Sequence, residues 1–221
     1  MGATIDKPVT PKLALWFDGS WRRMELGSEP QQLLLRPGLQ YTLAPGVRIS
    51  AGYGYIATAP YGSLPSATPM REQRTWQQLL LTHRAGSATV SHRYRLEQRW
   101  IRPLLPSSGE TDGALGPTTY QNRLRYLSRA QVNLGTLTYH TRPLLGIVWD
   151  ELLMPLGGPA QALTVAQNRA TIGVGIPVSR TQRVELAYLN LYNAFATRRA
   201  NEINHTLWLS WHYTGLAPRQ R

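Results

Sequence analysis

The chain contains no cysteine, which excludes a disulfide framework, a thiolate metal site and a cysteine nucleophile. It also lacks any apolar run of about twenty residues, so no segment can cross a membrane as a helix. Lysine is nearly absent. Lys7 and Lys12 are the only two, so almost all of the 24 basic residues are arginine; 12 acidic residues oppose them and the net charge is +12. Guanidinium is planar and weakly hydrated and tolerates confinement better than ammonium, so this bias points to packed ion networks or anion recognition. Phenylalanine is scarce as well, with 2 residues against 11 tyrosines and 7 tryptophans. The opening MGATIDKPVTPK has no apolar core of a leader, so an exported form is expected to have lost its signal peptide, and Met1 to be a possible remnant of expression.

What is present instead is alternation. In QQLLLRPGLQYTL, Leu33, Leu35, Pro37, Leu39, Tyr41 and Leu43 share one face, and Leu34, Arg36, Gly38, Gln40 and Thr42 the other. VRISAGYGYIA sets Val47, Ile49, Ala51, Tyr53 and Tyr55 against Arg48, Ser50, Gly52 and Gly54. HRYRLEQRW places Arg93, Arg95, Glu97 and Arg99 opposite His92, Tyr94, Leu96 and Trp100. Such segments, each followed by turn residues, recur at 12–26, 31–44, 46–58, 73–84, 87–101, 118–129, 137–153, 163–177, 181–195 and 201–214.

A soluble sandwich also alternates. Three features favour a membrane barrel. Tyrosine and tryptophan fall near strand ends, where interfacial girdles need amphipathic rings. Although those after the first and ninth segments are short, connections after the third, fifth and seventh are longer than those between, the asymmetry of external loops and periplasmic turns. The segments also exceed the usual soluble strand of about five or six residues, and no helical stretch is available to cover the edges of an open sheet. The expected fold is all-β: an antiparallel up-and-down transmembrane β-barrel of about ten strands. Its expected limits are 12–214, with 1–11 an N-terminal periplasmic extension, 215–221 a C-terminal tail, and loops 58–73 and 102–117 outside the cell.

Inward-facing charge then follows from parity. The expected lumen ion-pair network comprises Asp18, Arg36, Arg48, Arg93, Arg95, Glu97, Arg99, Arg123, Arg125, Arg169, Arg183 and Glu185, joined by either Asp150 or Glu151 beside Trp149. The outward, lipid-facing or interfacial aromatics are Tyr41, Tyr53, Tyr55, Tyr94, Trp100, Tyr126, Tyr188, Trp211 and Tyr213. A filled interior that pins the strands is the simplest role, and an anion-preferring pore is the sharper one. No HExxH, GxSxG or metal-ligand spacing occurs, so no catalytic residue, metal or cofactor is expected. Ser210 and His212 share a strand face, a weak signal. The aromatics sit with leucine rather than arginine, which is not the layout of a nucleic-acid stacking platform. The alternatives are an adhesion or ligand-binding barrel that uses its external loops, and a soluble basic nucleic-acid-binding β protein.

RTWQQ at 74–78, HRYRLEQR at 92–99, RLRY at 123–126, WDELL at 149–153, QNRATIGVG at 167–175 and VELAYL at 184–189 together resemble the bacterial outer-membrane β-barrels of domain-of-unknown-function family 2490. The resemblance implies an outer-membrane location and a barrel fold, and so outer-membrane lipid and the barrel-insertion machinery as partners; the small anionic solute is expected from the arginine-rich lumen instead. The resemblance implies no particular activity. WHY is followed by TGLAPRQR instead of ending on an aromatic, a departure from the common barrel-insertion signal.

Overall fold

The computed structural model describes residues 1–24, 28–60, 68–105, 114–136, 142–157, 165–195 and 200–216. Its strands are β1 (Gly2–Pro8), β2 (Leu13–Met24), β3 (Glu29–Ala44), β4 (Val47–Thr58), β5 (Met70–Ala85), β6 (Ala88–Leu105), β7 (Ala114–Leu115), β8 (Thr119–Thr136), β9 (Pro143–Leu156), β10 (Gln167–Pro177), β11 (Gln182–Phe195) and β12 (Ala200–Thr214). The two-residue β7 only extends the end of β6. The other strands form one sheet, ordered β5-β4-β3-β2-β1-β12-β11-β10-β9-β8-β6, and pairing of β5 with β6 closes it. This is a closed β-barrel of eleven strands.

Ten of the strands overlap the ten segments of alternating sequence, although β8 runs on to Thr136, past the end of its segment at 129, and β9 begins at Pro143 instead of 137, with 137–141 outside the described residues. The eleventh, β1, occupies the stretch expected to be an extension. Its alternation is short and ends at Pro8, but Ala3 and Ile5 face outward while Thr4 and Asp6 face in. An odd count makes the first and last strands run the same way, so closure between them must be parallel. β1 therefore pairs antiparallel with β2 and in parallel with β12, from Gly2 opposite Ser210 to Asp6 opposite Thr214. The expectation of a wholly antiparallel barrel preceded by an N-terminal extension is corrected on this point: Met1 lies in the wall, its amine donating to Trp21 O at 2.9 Å.

At one end the connections are tight. Gly46 carries φ +77° in the turn from β3 to β4, a left-handed conformation that only glycine adopts without strain. The longer connections lie at the opposite end. Residues 61–67 and 106–113, the tips of the loops expected outside the cell, fall outside the described residues, as does His140.

The wall is inverted relative to a water-soluble core. Leu39, Leu43, Ile172, Ile203 and Leu207 are exposed on the outer surface, Leu207 at 76%, whereas Arg95 and Glu97 inside are fully buried. Among the described residues Trp76 is the largest of the fully buried side chains. Its indole lies over Gly38 and Gly52, where a Cβ would come within 2.6 Å of the ring. Glycine at both positions thus opens the floor on which the indole rests. A Cβ at Gly52 would meet the Pro37 carbonyl oxygen even more closely than the ring, so Gly52→Val is expected to destabilise the fold by about 1–3 kcal/mol through overpacking, measured as a lower denaturation midpoint; an unchanged midpoint would show that both the ring and the β3 backbone give way.

Candidate functional site

The interior is built by parity. Because β6 sends every second residue inward, Arg93, Arg95, Glu97 and Arg99 form a column on the lumen side. The neighbouring strands complete it in register: β5 contributes Glu72, Arg74, Trp76 and Gln78, and β8 contributes Arg123, Arg125 and Arg129.

Glu97 is the centre of this network. Arg125 Nη1 donates to Oε1 at 2.8 Å and Arg123 Nη2 donates to Oε2 at 2.5 Å. Arg36 and Arg74 stand at 3.6 and 3.7 Å from the same carboxylate. Arg125 also reaches Glu151 at 2.7 Å, and Glu151 accepts from Arg93 at 2.6 Å and faces Arg169 at 3.6 Å. Arg99 donates to Glu72 at 2.6 Å, Arg74 also pairs with Glu72, and Arg36 pairs with Asp18. Charge-assisted hydrogen bonds therefore join β6, β8 and β9 around Glu97 and Glu151, β5 to β6 at Glu72 and β2 to β3 at Asp18. The longer ion pairs of Arg36, Arg74 and Arg169 connect these groups, and β10, into one network.

Two smaller clusters lie nearer the tight-turn end. Arg48 Nη1 donates to Asp6 at 3.0 Å, joining β4 to β1 across the lumen, and Gln40 donates to the same carboxylate at 2.8 Å. Glu185 lies 2.7 Å from both Arg129 and Arg183 and 3.3 Å from His212. In all these pairs ten arginines share six carboxylates, so the lumen keeps an excess of positive charge.

Arg95 is held differently. Its Nε and Nη2 donate to Gln78 Oε1 at 3.0 and 2.6 Å, and its guanidinium lies 5.3 Å from the Trp16 ring and 4.8 Å from that of Trp76. Among the described residues no carboxylate pairs with it. Cation–π attraction takes over part of that role, since a desolvated guanidinium over an indole gains about 2 kcal/mol. Trp16 and Trp76 meet edge to face at 4.9 Å, so two indoles and a guanidinium plug the middle of the barrel. A cavity of about 570 Å³ passes this plug, bordered by Asp6, Arg48 and His212 toward the tight turns and by Gln32, Thr58 and Gln167 toward the other end.

All twelve arginines and carboxylates named from the sequence face the lumen, and of the undecided pair Glu151 faces in while Asp150 is exposed and accepts from Asn168 at 2.7 Å. The nine named aromatics lie on outward strand positions, with Tyr41, Tyr53, Tyr94 and Tyr188 exposed and Tyr213 also bordering the cavity at its rim. Glu72, Arg74 and Arg129 were missed, although the same period of two run along β5 and β8 points to them. Asp6 was missed because its strand was not recognised. Trp16, Trp76 and Gln78 had no sequence signal of a shared role.

Ser210 Oγ lies 3.0 Å from His212 Nε2, and Glu185 approaches that same nitrogen. A serine–histidine–carboxylate relay needs the carboxylate on the other ring nitrogen, so this trio lacks the relay geometry. Among the described residues no group of three or more histidine or acidic side chains could hold a metal ion.

With this geometry in view, one family comparison is informative. The model of the family described as "Protein of unknown function (DUF2490)" matches residues 1–202. The chain belongs to this family. No curated protein and no solved structure matches it. The match covers β1 to β11 in full and only the start of β12, so the inward arginines of β6, β8 and β10 all lie within the family's own domain.

Proposed function

We propose that this DUF2490 protein is a bacterial outer-membrane barrel with a structural or passive-transport role, whose arginine-rich lumen favours small anions. The observation that carries the reading is the inverted wall: large apolar side chains such as Leu39, Ile172 and Leu207 lie outside, and paired arginines and carboxylates lie inside. A closed barrel satisfies every backbone group along its paired strands, which hydrocarbon demands and water does not. Lipid would cover the leucines, and the outward tyrosines and tryptophans would meet the headgroups. Arginine turned inward weighs against the nucleic-acid alternative, because phosphate backbones need cations on an accessible face.

Leu207→Arg separates a lipid-facing wall from a water-facing one. A lipid-facing wall loses about 2–4 kcal/mol when arginine is placed near the bilayer midplane. A water-facing site changes by less than about 0.5 kcal/mol. The measurement is folding into lipid vesicles followed by denaturant titration; a change in the smaller range would overturn the membrane assignment.

The lumen is tested by planar-bilayer recording. Its excess guanidinium charge should give an anion-selective reversal potential that weakens in Arg48→Gln and Arg183→Gln. Cation selectivity would overturn the anion preference, and silence of heat-modifiable, folded protein would leave the structural role alone standing.

A further inference from the structure

Arg95 is fully buried at the waist of the barrel, where a guanidinium keeps its charge because it does not deprotonate in proteins. Among the described residues the other buried arginines, Arg36, Arg74 and Arg125, each hold a carboxylate. Arg95 holds only the neutral Gln78 oxygen, through Nε and Nη2. Its Nη1 is buried with no hydrogen-bond partner, and such a donor forfeits its whole desolvation cost, the more so on a cation. The acids around it are committed elsewhere. Glu97, the next inward residue on β6, accepts from Arg123 and Arg125. Asp18, the next inward residue after Trp16 on β2, pairs with Arg36, and Asp6 pairs with Arg48 and accepts from Gln40. Glu72 is shared by Arg74 and Arg99, and Glu151 by Arg93 and Arg125.

A second unpaired donor lies on the same rung of the sheet. Ser50 on β4 is buried, and its hydroxyl has no hydrogen-bond partner either. The register sets Ser50 opposite Gln78 on β5, and Gln78 opposite Arg95 on β6. Arg95 leans across β5 to reach Gln78, and its guanidinium ends 5.3 Å from the ring of Trp16 on β2 and 4.8 Å from that of Trp76 on β5. β3 and β4 run between those two strands, so the guanidinium stands before the part of the wall that carries Ser50. Gln40 and Gln78, the two register neighbours of Ser50, border the cavity together with Trp16 and lie between this slot and the open lumen.

We propose that Arg95 Nη1 and Ser50 Oγ hold a small monovalent inorganic anion of the halide class at the waist of the barrel. The inference rests on the anion-preferring lumen proposed above and names the ion and its place. One negative charge balances the one buried guanidinium that has no carboxylate, and both unpaired donors gain an acceptor, the one on Arg95 charge-assisted. Two donors beside two indoles suit a spherical ion. A phosphate, with several oxygens to satisfy and more than one charge to balance, would need more donors and more room than a slot closed by Trp16 and Trp76.

The test uses full-length protein folded in lipid vesicles, with bromide replacing gluconate at constant ionic strength. Bromide quenches tryptophan as a heavy atom. Bound beside Trp16 and Trp76 it gives a component that saturates, whereas chance collisions with the other tryptophans give a straight line. A saturating component displaced by chloride is expected. Ser50→Ala, which removes one hydrogen bond, should weaken it about fivefold. Gln78→Glu gives Arg95 a carboxylate of the protein's own and should abolish it. The heat-dependent gel shift of each variant reports that it is folded, and either variant decides the question if the other does not fold. A straight line in wild type, or a saturating component unchanged in the folded variants, overturns the inference, while anion-selective conductance still supports the lumen reading. A straight line together with cation selectivity overturns both.

Discussion

Glu97→Gln is expected to lower the unfolding free energy by about 3–5 kcal/mol, the cost of removing one partner from a buried ion pair. Glu97 is fully buried and receives hydrogen bonds from Arg123 and Arg125, with Arg36 and Arg74 at 3.6 and 3.7 Å. Glutamine keeps the shape and one acceptor oxygen but removes the negative charge on which four guanidinium groups converge. Those groups cannot rehydrate in place, and Glu151 is already shared among Arg93, Arg125 and Arg169. The measurement is urea denaturation of the protein folded in lipid vesicles. Glu202→Gln is the control, because its carboxylate accepts only from Asn193 among the hydrogen bonds described, and it should change stability far less. Removing one of the stranded cations should return part of the loss, so Glu97→Gln with Arg123→Gln is expected to be more stable than the two separate losses added together. A loss for Glu97→Gln below about 1 kcal/mol would mean that water reaches the network and screens it.

Trp76→Ala is expected to cost about 3–5 kcal/mol as a large-to-small change in a packed interior, and to raise conductance through the barrel. Trp76 is fully buried, rests on Gly38 and Gly52, and forms one side of the slot that holds Arg95. Alanine would empty the space above two glycines, which have no side chains to refill it, and would leave Arg95 with Trp16 alone on its faces. The cavity that now passes the plug would widen at its middle. Single-channel recording of wild type and variant checks this, with the anion preference retained because the arginines remain. Unchanged conductance in a destabilised variant would place the resistance elsewhere, and unchanged stability would show that neighbouring side chains collapse into the gap.

The particular residues that were legible in the sequence share one property: their position follows from counting by two along a long strand. Leu39 and Arg36 could be assigned to opposite faces because β3 alternates without interruption over most of its length, and the same count placed Arg93, Arg95, Glu97 and Arg99 together. Beside Trp149 the count was ambiguous, because Asp150 and Glu151 are adjacent acids and either parity gave an acidic lumen residue. Register with Arg169 and the ion pair with Arg125 put Glu151 inside, and Asp150 is left with Asn168. β1 was illegible for a different reason. Seven residues ending in proline bury little apolar surface, and the strand is held by pairing with β12, some two hundred positions away in the chain.

The sequence by itself determined that this protein is a β-barrel with a charged interior, because the period of two is a local property and one slipped residue would turn every leucine and arginine to the wrong side. Only the tertiary structure decided that eleven strands close the wall, that β1 and β12 run parallel, and which arginine meets which carboxylate. Those features depend on shear and on distances across the lumen, where Arg48 meets Asp6 and Arg129 meets Glu185 from strands that are not neighbours. A pattern along one strand carries no information about what stands opposite it across a closed barrel.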